Sequence, residues 1–317
     1  MKTTKTHLRA LTALAAGLLS SSTLLEAAAV SGAMHEPFDY AAGTQFTNPS
    51  TLNGGQGWNL SGDISANAAG ATWGASLSAG NAIYRTATAP GLTYSATGYL
   101  PVSGNKLTLD AVTANQTQNV GRALGGQTID AGTTYFSLLM SKNNDTIRTI
   151  NLAFFNGTTE QFAVGQIGAA AGNSAGNIAL LMNNSNPGGL VQNATTPIAM
   201  GVGVTHLIIG RVDWNAVGNE TVSLWVDPAD VTTEAAAGAT YVSTSGFNMT
   251  ALTAIRPFVG NTVAGPPSIP AVSANFDEFR LGGSWESVTS LPVPVPEPSS
   301  LALAGLGGLA VLRRRKN

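Results

Sequence analysis

From about residue 135 onward the chain repeats one pattern: short apolar runs of period two, cut by turns that carry Gly and Asn. Thr221 to Asp227 is the cleanest case. Val222, Leu224 and Val226 point one way along an extended chain, and Thr221, Ser223 and Trp225 point the other. His206 to Trp214 precedes it, and Asn215 to Glu220, with Gly218-Asn219 inside, joins the two runs as a hairpin. Tyr135 to Met140 and Ile147 to Phe155 are strand-like runs separated by the turn residues Lys142-Asn143-Asn144-Asp145. Gln161 to Ile167 alternates, with Phe162, Val164 and Gln166 on one face. Ile178 to Met182 and Asn275 to Leu281 add two more strands, and helix signals are almost absent between the ends. A chain of this kind is expected to fold as an all-β protein, an antiparallel β-sandwich, in a single domain over residues 30–290. Ala66 to Gly80 and Ala169 to Gly176, rich in small residues, read as long loops.

The two ends are different. Residues 1–29 have the layout of a signal peptide: Lys2, Lys5 and Arg9, then an apolar stretch from Ala10 to Leu25, then Ala27-Ala28-Ala29 for cleavage. An uncleaved anchor is the competing reading. The run is broken by Ser20-Ser21-Ser22 and stops at Glu26, short of the roughly 20 apolar residues a span needs. At the other end, residues 291–298 form a Pro-rich, extended linker. Residues 299–317 follow as an expected hydrophobic helix with a basic tail. Its apolar run, Leu301 to Leu312, is short for a bilayer and needs Ser299, Ser300 and snorkelling Arg side chains to span it. The basic tail stays on the cytoplasmic side by the positive-inside rule, so both ends imply the same topology.

Pro296-Glu297-Pro298, the apolar run with Gly305, Gly307 and Gly308, and the cluster Arg313-Arg314-Arg315 together resemble the PEP-CTERM sorting signal of Gram-negative bacteria. The resemblance implies signal peptidase and the export machinery as partners, transient association with the inner membrane, and processing near Pro296-Glu297-Pro298 by an exosortase-type transpeptidase. The destination it implies is the cell surface or an exopolysaccharide matrix. A plain C-terminal anchor on a proline stalk is the alternative.

Without its ends the chain has 15 acidic and 8 basic residues, a net charge of −7. Phosphate neutralisation needs a basic surface, so a nucleic-acid partner is not expected. There is no cysteine, which excludes disulfides, Cys nucleophiles and thiolate metal sites.

The order Glu36-Pro-Phe-Asp-Tyr40, then Val222-Ser-Leu-Trp-Val-Asp-Pro228, then Phe276-Asp-Glu-Phe-Arg-Leu281 resembles the concanavalin A/laminin G-like jelly roll. That resemblance implies that the first and last strands are neighbours. The Glu-x-Asp-x-x-Glu pattern of laminarinase-like enzymes is absent. The adjacent pair Asp277-Glu278 is expected on opposite strand faces and so not to act together. His206 and His35 lack a Gly-x-Ser-x-Gly partner, so no catalytic residue is assigned. Glu36, Asp39 and Asp277 could meet at the sheet rim as hard oxygen ligands for a structural Ca²⁺; a carboxylate cluster paired with Arg280 is the competing reading. Trp225 falls on the polar face of its strand, and Trp58 and Trp73 lie in Gly-rich segments, so these three are candidates for stacking on sugar rings, against the alternative that each packs in a core. The leading expectation is an exported, non-enzymatic surface or matrix protein that binds polysaccharide. Its rivals are a secreted carbohydrate-active enzyme, hydrolase or lyase, and a purely structural envelope protein.

Overall fold

A computed structural model of the chain describes residues 30, 32–47, 52–58, 72–74, 84–99, 102, 104–111, 117–144, 148–166, 176–183, 191–238, 241–243, 248–260 and 272–290. The expected signal helix (1–29), linker (291–298) and C-terminal helix (299–317) lie outside these residues, as do most of the loops expected at 66–80 and 169–176. Among the described residues no helix is long and apolar enough to cross a membrane.

The strands are β1 (Met34–Glu36), β2 (Arg85–Thr88), β3 (Lys106–Ala111), β4 (Thr117–Asn119), β5 (Arg122–Ala123), β6 (Thr133–Lys142), β7 (Thr149–Asn156) and β8 (Thr159–Gln166). They continue with β9 (Asn177–Asn183), β10 (Val191–Ala199), β11 (His206–Asp213), β12 (Thr221–Val226), β13 (Tyr241–Ser243), β14 (Ala254–Gly260) and β15 (Val272–Gly282). Two single-turn helices are present, α1 (Glu234–Ala237) and α2 (Glu286–Thr289).

The strands form two antiparallel sheets. One has eight strands in the order β13-β12-β11-β6-β15-β3-β2, with β1 also on β15. The other has seven in the order β10-β9-β8-β7-β14-β4, with β5 also on β14. The chain wraps back and forth between the sheets, and the late strands β14 and β15 each insert beside earlier ones. This is a jelly-roll β-sandwich of the concanavalin A-like kind. The first and last strands pair, with Met34 opposite Leu281 and Glu36 opposite Phe279. β11 and β12 form the expected hairpin, with Asp213 opposite Thr221. β6 and β7 do not pair as a hairpin: β6 belongs to the eight-stranded sheet and β7 to the seven-stranded one, so the chain passes from one sheet to the other between them.

Alternation fills the space between the sheets. Phe162 and Val164 from β8 meet Val222, Leu224 and Val226 from β12 and Phe136 from β6 in one core. The rings of Phe154 and Phe162 stack with centroids 4.3 Å apart. Gly210 is required opposite Phe136, because a Cβ there would run into the Phe136 ring. The outer side of the eight-stranded sheet departs from expectation. Leu139, Leu207, Ile209 and Trp225 point outward into a second core, closed by Leu92, Tyr99, Val231, Trp285 and Val288. Trp225 is therefore 2% exposed, although its strand face read as polar.

Candidate functional site

Alternation along β1 sends its last two residues to opposite sides: Glu36 between the sheets, His35 outward. Glu36 forms an ion pair with Arg122 of β5, with both side chains 0% exposed. The Glu36 carboxylate also accepts from Phe38 N (2.8 Å), Trp73 Nε1 (2.8 Å) and Tyr40 Oη (3.2 Å). The Arg122 guanidinium lies 3.8 Å above the Trp58 ring and donates to Asn53 Oδ1 and Gly54 O. Burial pushes the Tyr40 hydroxyl well above its usual range, with Glu36 adding to the effect. Because β1 and β5 belong to different sheets, this cluster is a joint across the sandwich. Trp58 and Trp73, expected as exposed sugar platforms, are both 0% exposed and pack around that joint. The correction has a physical cause: a buried guanidinium loses water, and indole faces and N–H groups replace part of what it loses.

The three carboxylates expected to hold Ca²⁺ do not form one ligand set. Glu36 is committed to Arg122 on the inner side of the sheet. Asp277 points outward, accepting from Leu92 N (2.8 Å) and Glu278 N (2.9 Å). Asp39 packs against Gly104, where a Cβ would sit 2.9 Å from its carboxyl carbon. Among the described residues no group of three His, Asp or Glu side chains is arranged to hold a metal.

Asp277 and Glu278 do share one side of the sheet, against the expectation from simple alternation. The β15–β6 register shifts between Asp277 and Arg280, and Glu278 has φ 48°. This is a β-bulge, which inserts one residue and resets the alternation. Phe276, Phe279 and Leu281 stay in the main core. Glu278 then accepts from Arg280 NH2 (2.7 Å) and bonds His35 Nε2 (2.8 Å). Burial pushes Glu278 upward, but His35 and Arg280 outweigh it and hold the group below the usual carboxylate range. Asp277 has no cation in hydrogen-bond contact, and burial pushes it up to about 8. Both carboxylates thus accept from protein groups and face the second core. They do not form a solvent-facing acid/base pair.

His206 is held in the same saturated way. Its Nδ1 lies 2.7 Å from Asp227 Oδ2, and its Nε2 accepts from Gly201 N at 3.3 Å. Both ring nitrogens are thus engaged within the protein.

The outer face of the seven-stranded sheet is built differently. Register places Asn119, Phe258, Asn151, Gly165 and Ala179 in one row across β4, β14, β7, β8 and β9. The next row is Arg256, Ala153, Ala163 and Leu181. Phe155 and Glu160 stand at the end. The middle is a floor of Ala and Gly, and the large side chains line one flank. Arg256 donates to Glu160 Oε2 at 3.0 Å and lies 4.3 Å above the Phe155 ring and 5.4 Å from the Phe258 ring. Burial pushes Glu160 upward against the pull of Arg256. Two polar atoms of this face have no hydrogen-bond partner, Asn151 Oδ1 and Arg256 Nε. One is an acceptor and the other a donor, and buried atoms of this kind are rare in native proteins. The side chains of Arg256 and Glu160 are 20% and 17% exposed, which marks the open flank of the floor.

The sequence reading missed this face. Pro257 sits inside β14, and a proline cannot donate to a sheet ladder, which masks the strand. The usable signal was the alternation of Ala254, Arg256 and Phe258 against Ile255 and Val259.

The PEP-CTERM protein-sorting motif is matched over residues 294–316, the segment that carries Pro296, Glu297, Pro298, Arg313, Arg314 and Arg315. No curated protein matches the chain. Among solved structures, an alginate lyase in complex with alginate tetrasaccharide is 9% identical over 80% of this chain and 98% of that one, with a TM-score of 0.44. A glycosyl hydrolase family 16 protein from Mycobacterium smegmatis is 14% identical over 78% and 98%, with a TM-score of 0.43. The β-glucanase of Bacillus licheniformis is 12% identical over 79% and 98%, with a TM-score of 0.41. These are likenesses of architecture and do not bear on activity.

Proposed function

We propose that this is an exported cell-surface or matrix protein whose sandwich contacts polysaccharide without cleaving it. On this reading the tail holds the protein at the inner membrane, and an exosortase-type transpeptidase cuts it near Pro296-Glu297-Pro298. The released domain then stays at the surface through its contacts with exopolysaccharide. The observation that carries the binding role is one flank of the outer face of the seven-stranded sheet, where Phe258, Arg256 and Glu160 are partly exposed beside a small-residue floor that the chain itself covers. Aromatic flanks with a few fixed polar groups suit a sugar ring. The non-enzymatic part is supported by the acidic groups the sequence singled out: Glu36, Asp277 and Glu278 are each engaged by protein donors, and Asp39 stands exposed against Gly104, apart from them.

The test has two arms. Cells carrying the full chain should show it first in the inner membrane and then in the surface fraction, and deletion of residues 294–316 should abolish the membrane-held precursor. The purified protein should be retarded in native gels containing polysaccharide and should release no reducing ends or unsaturated products. Retardation with none of a broad polysaccharide panel would sink the binding role, and product release would replace it with an enzymatic one.

A further inference from the structure

We infer that the corner of the sandwich where β1 begins and β15 ends faces the inner membrane while the sorting tail holds the protein there. The inference rests on the tail-held precursor of the proposed function. Three observations carry it. First, both tags leave from this corner. β1 pairs with the end of β15, with Met34 opposite Leu281. A Cβ on Gly283 would lie 3.7 Å from Val30 O, and Val30 directly follows the expected signal peptide. Second, the root of the tail is fixed. α2 follows β15 closely, and Trp285 at its start packs against Trp225 with ring centroids 5.1 Å apart. Ser137 Oγ donates to Val288 O at 2.6 Å, and Val288 and Thr289 are 0% and 2% exposed. Third, the corner is almost free of charge. Glu286 is the one ionisable residue in 30–33 and 283–290, inside a region of net charge −7. Such a corner meets little repulsion at an anionic lipid surface, whereas the rest of the domain is repelled there.

The tether is also short. Pro296 stands seven positions after Thr289, a stretch that reaches at most about 25 Å when fully extended. β15 alone, with 11 residues, runs about 37 Å. With α2 docked, the tail is thus shorter than the sandwich it holds, and the corner it leaves from stays nearest the bilayer. The far end carries Val202, which bridges Lys142 opposite Ala274 and is 47% exposed. That end points away from the membrane. The cut near Pro296 is made in the gap beside Glu286.

The chain has no cysteine, so single replacements read without background. Glu286→Cys marks the corner and Val202→Cys the far end, and both positions are exposed. The experiment labels each with a bulky, membrane-impermeant maleimide, in cells that lack the transpeptidase and whose outer membrane has been opened. The reference is the same variant without residues 294–316. The tail should slow labelling of Glu286→Cys several-fold and leave Val202→Cys nearly unchanged. A Gly/Ser spacer of about twelve residues inserted after Ser290 should restore the fast rate at Glu286→Cys. No slowing at Glu286→Cys, equal slowing at both positions, or a slow rate that survives the spacer would overturn the inference. A full-length precursor that never fractionates with the inner membrane would overturn the sorting reading, and this inference with it. If Glu286→Cys fails to fold, Ser284→Cys, exposed at the same corner, gives the same reading.

Discussion

The two outer faces of this sandwich start from the same period-two strands and end in opposite states. On the eight-stranded sheet the outward residues are large and apolar: Leu139, Leu207, Ile209 and Trp225. A third layer covers them, supplied by the segment around Leu92 and Tyr99, by Val231 and by α2. The carboxylates there are locked: Asp277 takes two backbone amides, and Glu278 takes His35 and Arg280, while Arg280 Nε and Nη1, Tyr99 Oη and Trp225 Nε1 keep no partner. On the seven-stranded sheet the central outward residues are Ala153, Ala163, Gly165 and Ala179, and Asn151 and Arg256 each keep one polar atom without a partner. One face uses its side chains to hold the protein together. The other is a buried floor of small residues whose large side chains, Arg256, Glu160 and Phe258, stand partly exposed at one flank.

The contrast predicts graded responses. Arg122→Met should have the largest effect, because it removes the joint on which both faces depend and strands Glu36 between the sheets. The expected loss is about 3–5 kcal/mol in urea unfolding, and adding Glu36→Gln should recover part of it by removing the unpaired charge. Trp285→Ala follows. Its ring is 4% exposed, packs 5.1 Å from Trp225 and donates to Val231 O at 2.8 Å. Opening the cover should cost about 3–4 kcal/mol while leaving glycan retardation unchanged.

Asp277→Asn tests the locked face through pH. The folded group titrates near 8 against 3.8 for an unperturbed carboxyl. Below about pH 4 both states hold the proton and the stabilising contribution is whole. Between the two values the unfolded chain loses a proton that the folded one keeps, so stability falls as pH rises and levels off above 8. The Asn variant should lack that decline. It should start about 1 kcal/mol less stable in acid, since one amide oxygen cannot accept both N–H groups, and overtake the parent in alkali. Unfolding midpoints across the pH range measure this. The smallest stability effect belongs to Phe258→Ala on the open flank, about 1 kcal/mol or less. There the order reverses, because glycan retardation should fall about tenfold.

Much of the scaffold was legible in the residues. The alternation of Thr221 to Asp227 gave β12 and its inward face, and the short motifs at Glu36 and Phe276 gave the pairing of β1 with β15. Three things were not legible, each for a physical reason. A bulge at Glu278 breaks period two, so adjacent residues landed on one face. A strand face can be polar by composition and still be buried when later segments cover it, as Trp225 shows. An indole in a Gly-rich segment can serve a buried cation rather than a sugar, as Trp58 does above Arg122. The outer face of the seven-stranded sheet escaped notice because its signal is a floor of small residues, with Pro257 interrupting the strand beside it.

The most direct test of the account is a chemical-shift map of the folded protein titrated with an oligosaccharide of a polysaccharide that retards it. The account predicts perturbed amides on β8 and β14, centred on Glu160, Arg256 and Phe258, and unshifted amides at His35, Glu36 and Glu278. Shifts confined to β1, β15 and the cover around Trp225 and Trp285, with β8 and β14 silent, would contradict it.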